Sequence, residues 1–159
     1  MMRWLLWYLL APQSFLVLAM VESLGLPTLD GGVLVGLFLV VFAELPALPW
    51  LLLGAAMGRA VVDEASLATQ ILVIGLPVAV LLPLRTVLES RRWIWQMAIA
   101  AVIAWVLPEL AAFLVRWTGH GLHVAAASPW APVVAACYAP LLLAMLRWLP
   151  PFQAFEERA

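Results

Sequence analysis

Residues 33–62 read VLVGLFLVVFAELPALPWLLLGAAMGRAVV, an apolar run broken near its middle by Glu44-Leu45-Pro46-Ala47-Leu48-Pro49. If the break is a turn, the chain crosses a membrane six times; if it is a kink, five times. The count fixes the side on which each arginine lies, so the rest of the sequence can arbitrate.

The solvent for this chain is expected to be lipid. Of its 159 residues, 67% are hydrophobic and 11% charged, against roughly a quarter charged in a soluble domain. A water-soluble body of this length lacks the polar groups to cover so much apolar surface. At about 20 residues per crossing, the length accommodates one membrane domain of at most six or seven helices. A net charge of −1 says little about partners, and the sequence has no basic tail for nucleic acid. The single Cys137 cannot form an intrachain disulfide and reports no redox compartment. Arg3 followed by an apolar stretch resembles a signal peptide, but no small-x-small cleavage site follows, so the segment reads as an uncleaved first span.

Hydrophobicity and turn residues place spans at 4–21, 33–43, 48–62, 67–84, 93–115 and 130–149. Glu22 to Gly32, with Pro27, Asp30 and a glycine pair, reads as an exposed turn. Eight of the nine tryptophans (Trp4, Trp7, Trp50, Trp93, Trp95, Trp117, Trp130 and Trp148) fall near span ends, as in an interfacial belt, and Trp105 falls mid-span. All eight cations are arginines. Six spans with an inner N-terminus put Arg3, Arg85, Arg91, Arg92, Arg147 and Arg158 inside and Arg59 and Arg116 outside. Five spans give three against five with the N-terminus inside, or five against three with it outside. The positive-inside bias therefore selects the turn, six spans and two cytoplasmic termini. Two spans are then short, rising roughly 17 and 22 Å against a hydrocarbon core of about 30 Å. Gly32-x-x-x-Gly36 and Gly54-x-x-x-Gly58 place paired glycines on their faces, suiting close helix packing; the same spacing also arises readily in any Gly/Ala-rich apolar chain.

Few residues carry chemistry. Glu109 follows Pro108 inside the fifth span, where an ionisable group normally has a partner or a watery site. It reads either as a ligand- or proton-binding carboxylate or as the ion-pair partner of Arg59 or Arg116. Arg59 and Asp63 are four apart and can meet on one helix face, with Glu64 beside them. Gln13 and Gln70 suit helix–helix hydrogen bonds. His120 and His123 in the outer loop do not complete a zinc site, since no carboxylate or cysteine is committed nearby. Arg85, Arg91 and Arg92 make the inner loop basic, which suits a topology determinant or contact with anionic headgroups. No phosphate loop, nucleophile–base pair or HExxH motif is present, so the residues point to no catalytic, metal or cofactor site.

The order of features resembles the rod shape-determining protein MreD family. A short span precedes the Pro-containing turn Glu44–Pro49, and the Gly-bearing segment Leu53-Gly54-Ala55-Ala56-Met57-Gly58-Arg59-Ala60-Val61-Val62-Asp63 follows. Glu64-Ala65-Ser66 then leads to a span ending in the arginine-bearing loop, a long fifth span, and a last span with Ala139-Pro140-Leu141 that ends at Arg147. The resemblance implies a compact six-helix bundle, similar to the substrate-binding subunits of energy-coupling factor transporters. It implies a non-enzymatic inner-membrane scaffold without a cofactor. The expected partners are membrane lipid, an MreC-like bitopic protein and a RodA/penicillin-binding-protein synthase complex. The rival expectation is a small-molecule-binding subunit of a vitamin-type transporter, with Glu109, Arg59, Arg116 and Trp105 converging on a solute. A proton-coupled carrier using Glu109 is a third reading, without the expected internal repeat.

Overall fold

A computed structural model describes residues 2–23, 30–63, 66–87, 92–118, 129–148, 150–153 and 155. It is helical throughout its six principal elements: α1 (Met2–Ser23), α2 (Gly31–Val41), α3 (Leu48–Asp63), α4 (Leu67–Leu81), α6 (Trp93–Thr118) and α7 (Ala131–Leu146). Two four-residue helices, α5 (Leu84–Val87) and α8 (Pro150–Gln153), follow α4 and α7. Among the described residues there is no β-strand.

The Glu44–Pro49 break is a reversal of direction. Residues Leu45–Ala47 form one turn of 3-10 helix, closed by the Ala47 amide donating to the Glu44 carbonyl (3.0 Å). Pro46 and Pro49 each occupy the opening turn of a helix, where a missing N–H costs nothing. The neighbours shared by α2 and α3 establish that they run antiparallel. Phe15 of α1 lies against both Gly31, at the start of α2, and Gly58, near the end of α3. One end lower, Trp7 stacks on Phe38 of α2 and donates its indole N–H to the Leu51 carbonyl of α3 (3.1 Å).

All eleven residues of α2 are buried, and every other principal helix packs around it. Its neighbours show the periodicity of helices with one inward face: Gln96, Ile99, Ala100, Ile103, Ala104 and Leu107 are buried on α6. On α7 the buried set is Ala135, Ala139, Pro140 and Leu143. The outward faces are apolar too, with Leu5, Val80, Trp105 and Met145 each about two-thirds exposed or more. The segment Leu45–Asp63 and the helix Trp93–Trp117 are long and apolar enough to cross a membrane, whereas α2, α4 and α7 are shorter.

Gly54 and Gly58 both face α1. A Cβ at Gly54 would lie 2.6 Å from the Trp7 indole nitrogen, and one at Gly58 would lie 2.8 Å from the Pro12 Cα. The second obstruction is backbone, so no side-chain rotation relieves it. Gly32 and Gly36 face α6 instead, against Leu107 and Ile103 respectively.

Trp7 departs from the belt expected of the span-end tryptophans. It is 1% exposed and sits in an aromatic cluster with Phe38, Phe152 and Phe155. The reason is the return of the chain after α7, which lays Phe152 and Phe155 across the same end of α1. Trp50, Trp93, Trp95, Trp117, Trp130 and Trp148 are exposed. Trp105, expected mid-span, is exposed on the outer side of α6.

Two substitutions measure these contacts. Phe155→Ala removes a fully buried ring and is expected to cost roughly 3–5 kcal/mol in a thermal or denaturant unfolding curve. Gly58→Ala forces α1 and α3 apart and is expected to cost about 1–3 kcal/mol, whereas Gly36→Ala, opposed at 3.3 Å by a flexible Ile103 terminus, should change stability far less. Equal effects at the two glycines would refute the close α1–α3 approach as the reason for Gly58.

Candidate functional site

Asp30 precedes α2 and caps that helix, its Oδ1 accepting from the Gly32 amide at 2.7 Å. A carboxylate here is favoured by the positive end of the helix dipole. Its second oxygen accepts from Arg59 Nη2 at 2.9 Å, and Arg59 Nε donates to Asp63 Oδ2, also at 2.9 Å. Gln70 of α4 donates through Nε2 to that same Asp63 oxygen at 3.0 Å. One guanidinium thus joins the N-terminus of α2 to the C-terminus of α3, and one carboxylate carries the chain of bonds into α4. Ser66 caps α4 beside it, accepting from the Thr69 amide (3.2 Å).

Burial of Arg59 explains the need for two carboxylates. Its side chain is 13% exposed, while Asp30 and Asp63 keep 41% and 33%. A guanidinium withdrawn from water needs both charge compensation and hydrogen bonds to its planar fork. Among the described residues its third nitrogen, Nη1, is buried without a hydrogen-bond partner, as is Gln70 Oε1. Nη1 rests on Gly32, where any Cβ would collide with it. Gly32 therefore serves the arginine as well as the helix contact.

The opposite end of α2 gathers three other arginines. Arg85 donates to the Ala43 carbonyl (2.8 Å), Arg147 lies over the Phe42 ring (4.0 Å), and Arg3 pairs with Glu44 (3.6 Å). Cations at a helix C-terminus complement its dipole and free carbonyls. Arg59 stands alone among these four in lying at the N-terminal end of α2.

The predicted polar residues therefore divide. Arg59 and Asp63 meet, and Gln70 joins a neighbouring helix as expected; Gln13 is exposed instead. Glu109 does not meet Arg59. Leu107 packs against Gly32 at the heart of the bundle. At about 100° per residue, Glu109 points roughly 200° away, onto the outer surface. Arg116 shares that outer face two turns further on, and among the described residues Glu109 has no ion-pair partner. Trp105, Glu109 and Arg116 thus lie outside α6 while Arg59 lies within, so these four do not converge on a common solute site. Glu64, His120 and His123 lie outside the described residues, as do Arg91 and Arg158.

Asp30 was legible in principle: an aspartate immediately before Gly-Gly and an apolar run is an N-cap signal. Its bond to Arg59 spans 29 residues and carries no sequence signature. Breaking the cluster gives a measurable effect. Arg59→Met is expected to lower unfolding stability by about 1–3 kcal/mol, below the full cost of orphaning buried charges because both carboxylates reach solvent. A double-mutant cycle with Asp63→Asn should show coupling between the two; additive losses would reject the pair as an energetic unit.

Comparison with known proteins returns no matching family model, no matching curated protein and no matching solved structure.

Proposed function

We propose that this chain is a non-enzymatic scaffold of the bacterial inner membrane, part of the complex that builds peptidoglycan during cell elongation. In this reading the six principal helices cross the bilayer, with both termini cytoplasmic. The bundle then engages an MreC-like bitopic protein through helix packing and, with it, a RodA/penicillin-binding-protein synthase complex.

The observation that carries the membrane part is the pairing of an apolar exterior with sorted charge. Large hydrophobic side chains face outward on α1, α3, α4, α6 and α7. Arg3, Arg85 and Arg147 gather at one end of α2, and Arg59 lies at the other. Such a body exposes in water far more apolar surface than a soluble monomer carries, and its cations follow the positive-inside pattern. The scaffold part is supported by the resemblance to the MreD family around the Glu44–Pro49 turn. It also fits a chain whose polar cluster bonds helices to one another.

Native-membrane purification tests the assignment. Recovery with the wall-synthesis complex is the expected result; recovery with an ATPase module and a retained small molecule would replace it with the transporter reading. Topology has a separate test. Ala47 is 3% exposed and unsuited to labelling, whereas Leu45 in the same turn is 52% exposed. Leu45→Cys in a Cys137→Ser background should react with an impermeant maleimide only when the cytoplasmic face is open. Reaction in intact cells whose outer permeability barrier has been removed would reject the six-span arrangement.

A further inference from the structure

The outer face of α6 carries a carboxylate where lipid alone is a poor neighbour. Ala98, Val102, Trp105, Glu109, Ala112 and Arg116 follow one another at intervals of four, three, four, three and four. That is the spacing of a single coiled-coil seam, and it returns to the same side of the helix over about 27 Å. Five of the six are exposed and Ala112 is half-buried. Trp105 alone keeps 67% of its surface open.

Depth makes Glu109 the deciding residue. The 26 residues of α6 extend about 39 Å. Centred on a hydrocarbon core of about 30 Å, the helix places Glu109 roughly 5 Å from the midplane and some 10 Å inside the nearer boundary. A glutamate is too short to reach the headgroups in the way that lysine or arginine can. An intramembrane carboxylate is costly without a partner, and Leu107 directs it away from Arg59.

We propose that this seam docks one transmembrane helix of another protein, which sets a lysine or arginine against Glu109. The inference rests on the membrane reading above and deepens its interaction role. The occupant is one helix because the seam is one helix wide. The required charge is positive because the seam's deep ionisable group is negative. The small Ala98 and Ala112 flanking the charged turn admit a close backbone approach. A second copy of this chain fits poorly: copies inserted in the same direction about a two-fold axis would bring Glu109 against its own equivalent.

The test places a photoreactive benzoylphenylalanine at Trp105 in the full chain and irradiates native membranes. The expected product is an adduct that mass spectrometry maps to a transmembrane segment containing lysine or arginine. Glu109→Gln should lower its yield about tenfold, in line with losing one member of a desolvated charge pair. Glu109→Asp should retain most of it, and exchanging the mapped basic residue for glutamate should restore an adduct with Glu109→Lys. Because Glu109 is exposed, an unchanged unfolding curve for Glu109→Gln separates lost docking from lost folding. Adducts to lipid alone, adducts between two copies of the chain, or a yield indifferent to Glu109→Gln would each overturn the proposal. The two readings fail separately. Undiminished recovery of the wall-synthesis complex with Glu109→Gln removes this interface and leaves the assignment standing. A Glu109-dependent adduct to an unrelated protein removes the cell-elongation assignment and leaves the interface.

Discussion

An eleven-residue helix buried on every side imposes the main condition on this fold. Its apolar flanks are easily matched, but its two polar ends are not. The first amides and last carbonyls of any helix lack partners within it, and α2 is shorter than each of the five principal helices around it. The structure answers with charged side chains at both ends: Asp30 and Arg59 at the first, Arg85 beside the second. The charge pattern of the protein is therefore tied to the closure of one central helix. Three of the arginines that the sequence grouped on one side, Arg3, Arg85 and Arg147, lie at its C-terminal end.

The architecture was largely legible in the sequence because each signal was local. Apolar run length located the six principal helices to within a few residues, and Pro46, Pro49 and Glu44 marked the reversal. Arginine sorting favoured turn over kink without knowledge of any contact, and the antiparallel placement of Gly31 by Phe15 and Gly58 agrees with a turn. The glycine pairs were readable as places of close approach, though which helix each pair would face was not. Spacing within one helix says nothing about its neighbour's identity.

Long-range pairing was the part that escaped. Trp7 looked interfacial because it lies near a span end, yet Phe152 and Phe155 return to cover it from the far end of the chain. Arg59 and Asp63 share a helix and were paired on sight, whereas Asp30 joins them across a loop closure that no periodicity encodes. Glu109 read either as a ligand- or proton-binding carboxylate or as the partner of Arg59 or Arg116; Arg59 lies near the same end of α6 but across the helix from Glu109. Axial position follows from residue number alone; azimuth requires knowing which of its neighbours, here Leu107, faces the centre.

The separation of partners along the chain also gives α2 a direction in time. Its N-terminal end is closed by Asp30 and by an arginine 29 residues downstream, so both are available once α3 has been synthesised. Its C-terminal end waits 42 residues for Arg85, and the Phe42 ring waits for Arg147 at the end of α7. A chain emerging from its N-terminus therefore completes one pole of its central helix early and the other only on the arrival of its last long helix. The unfinished pole lies at the Glu44–Pro49 turn, making that turn the place where an incomplete bundle differs most from a finished one.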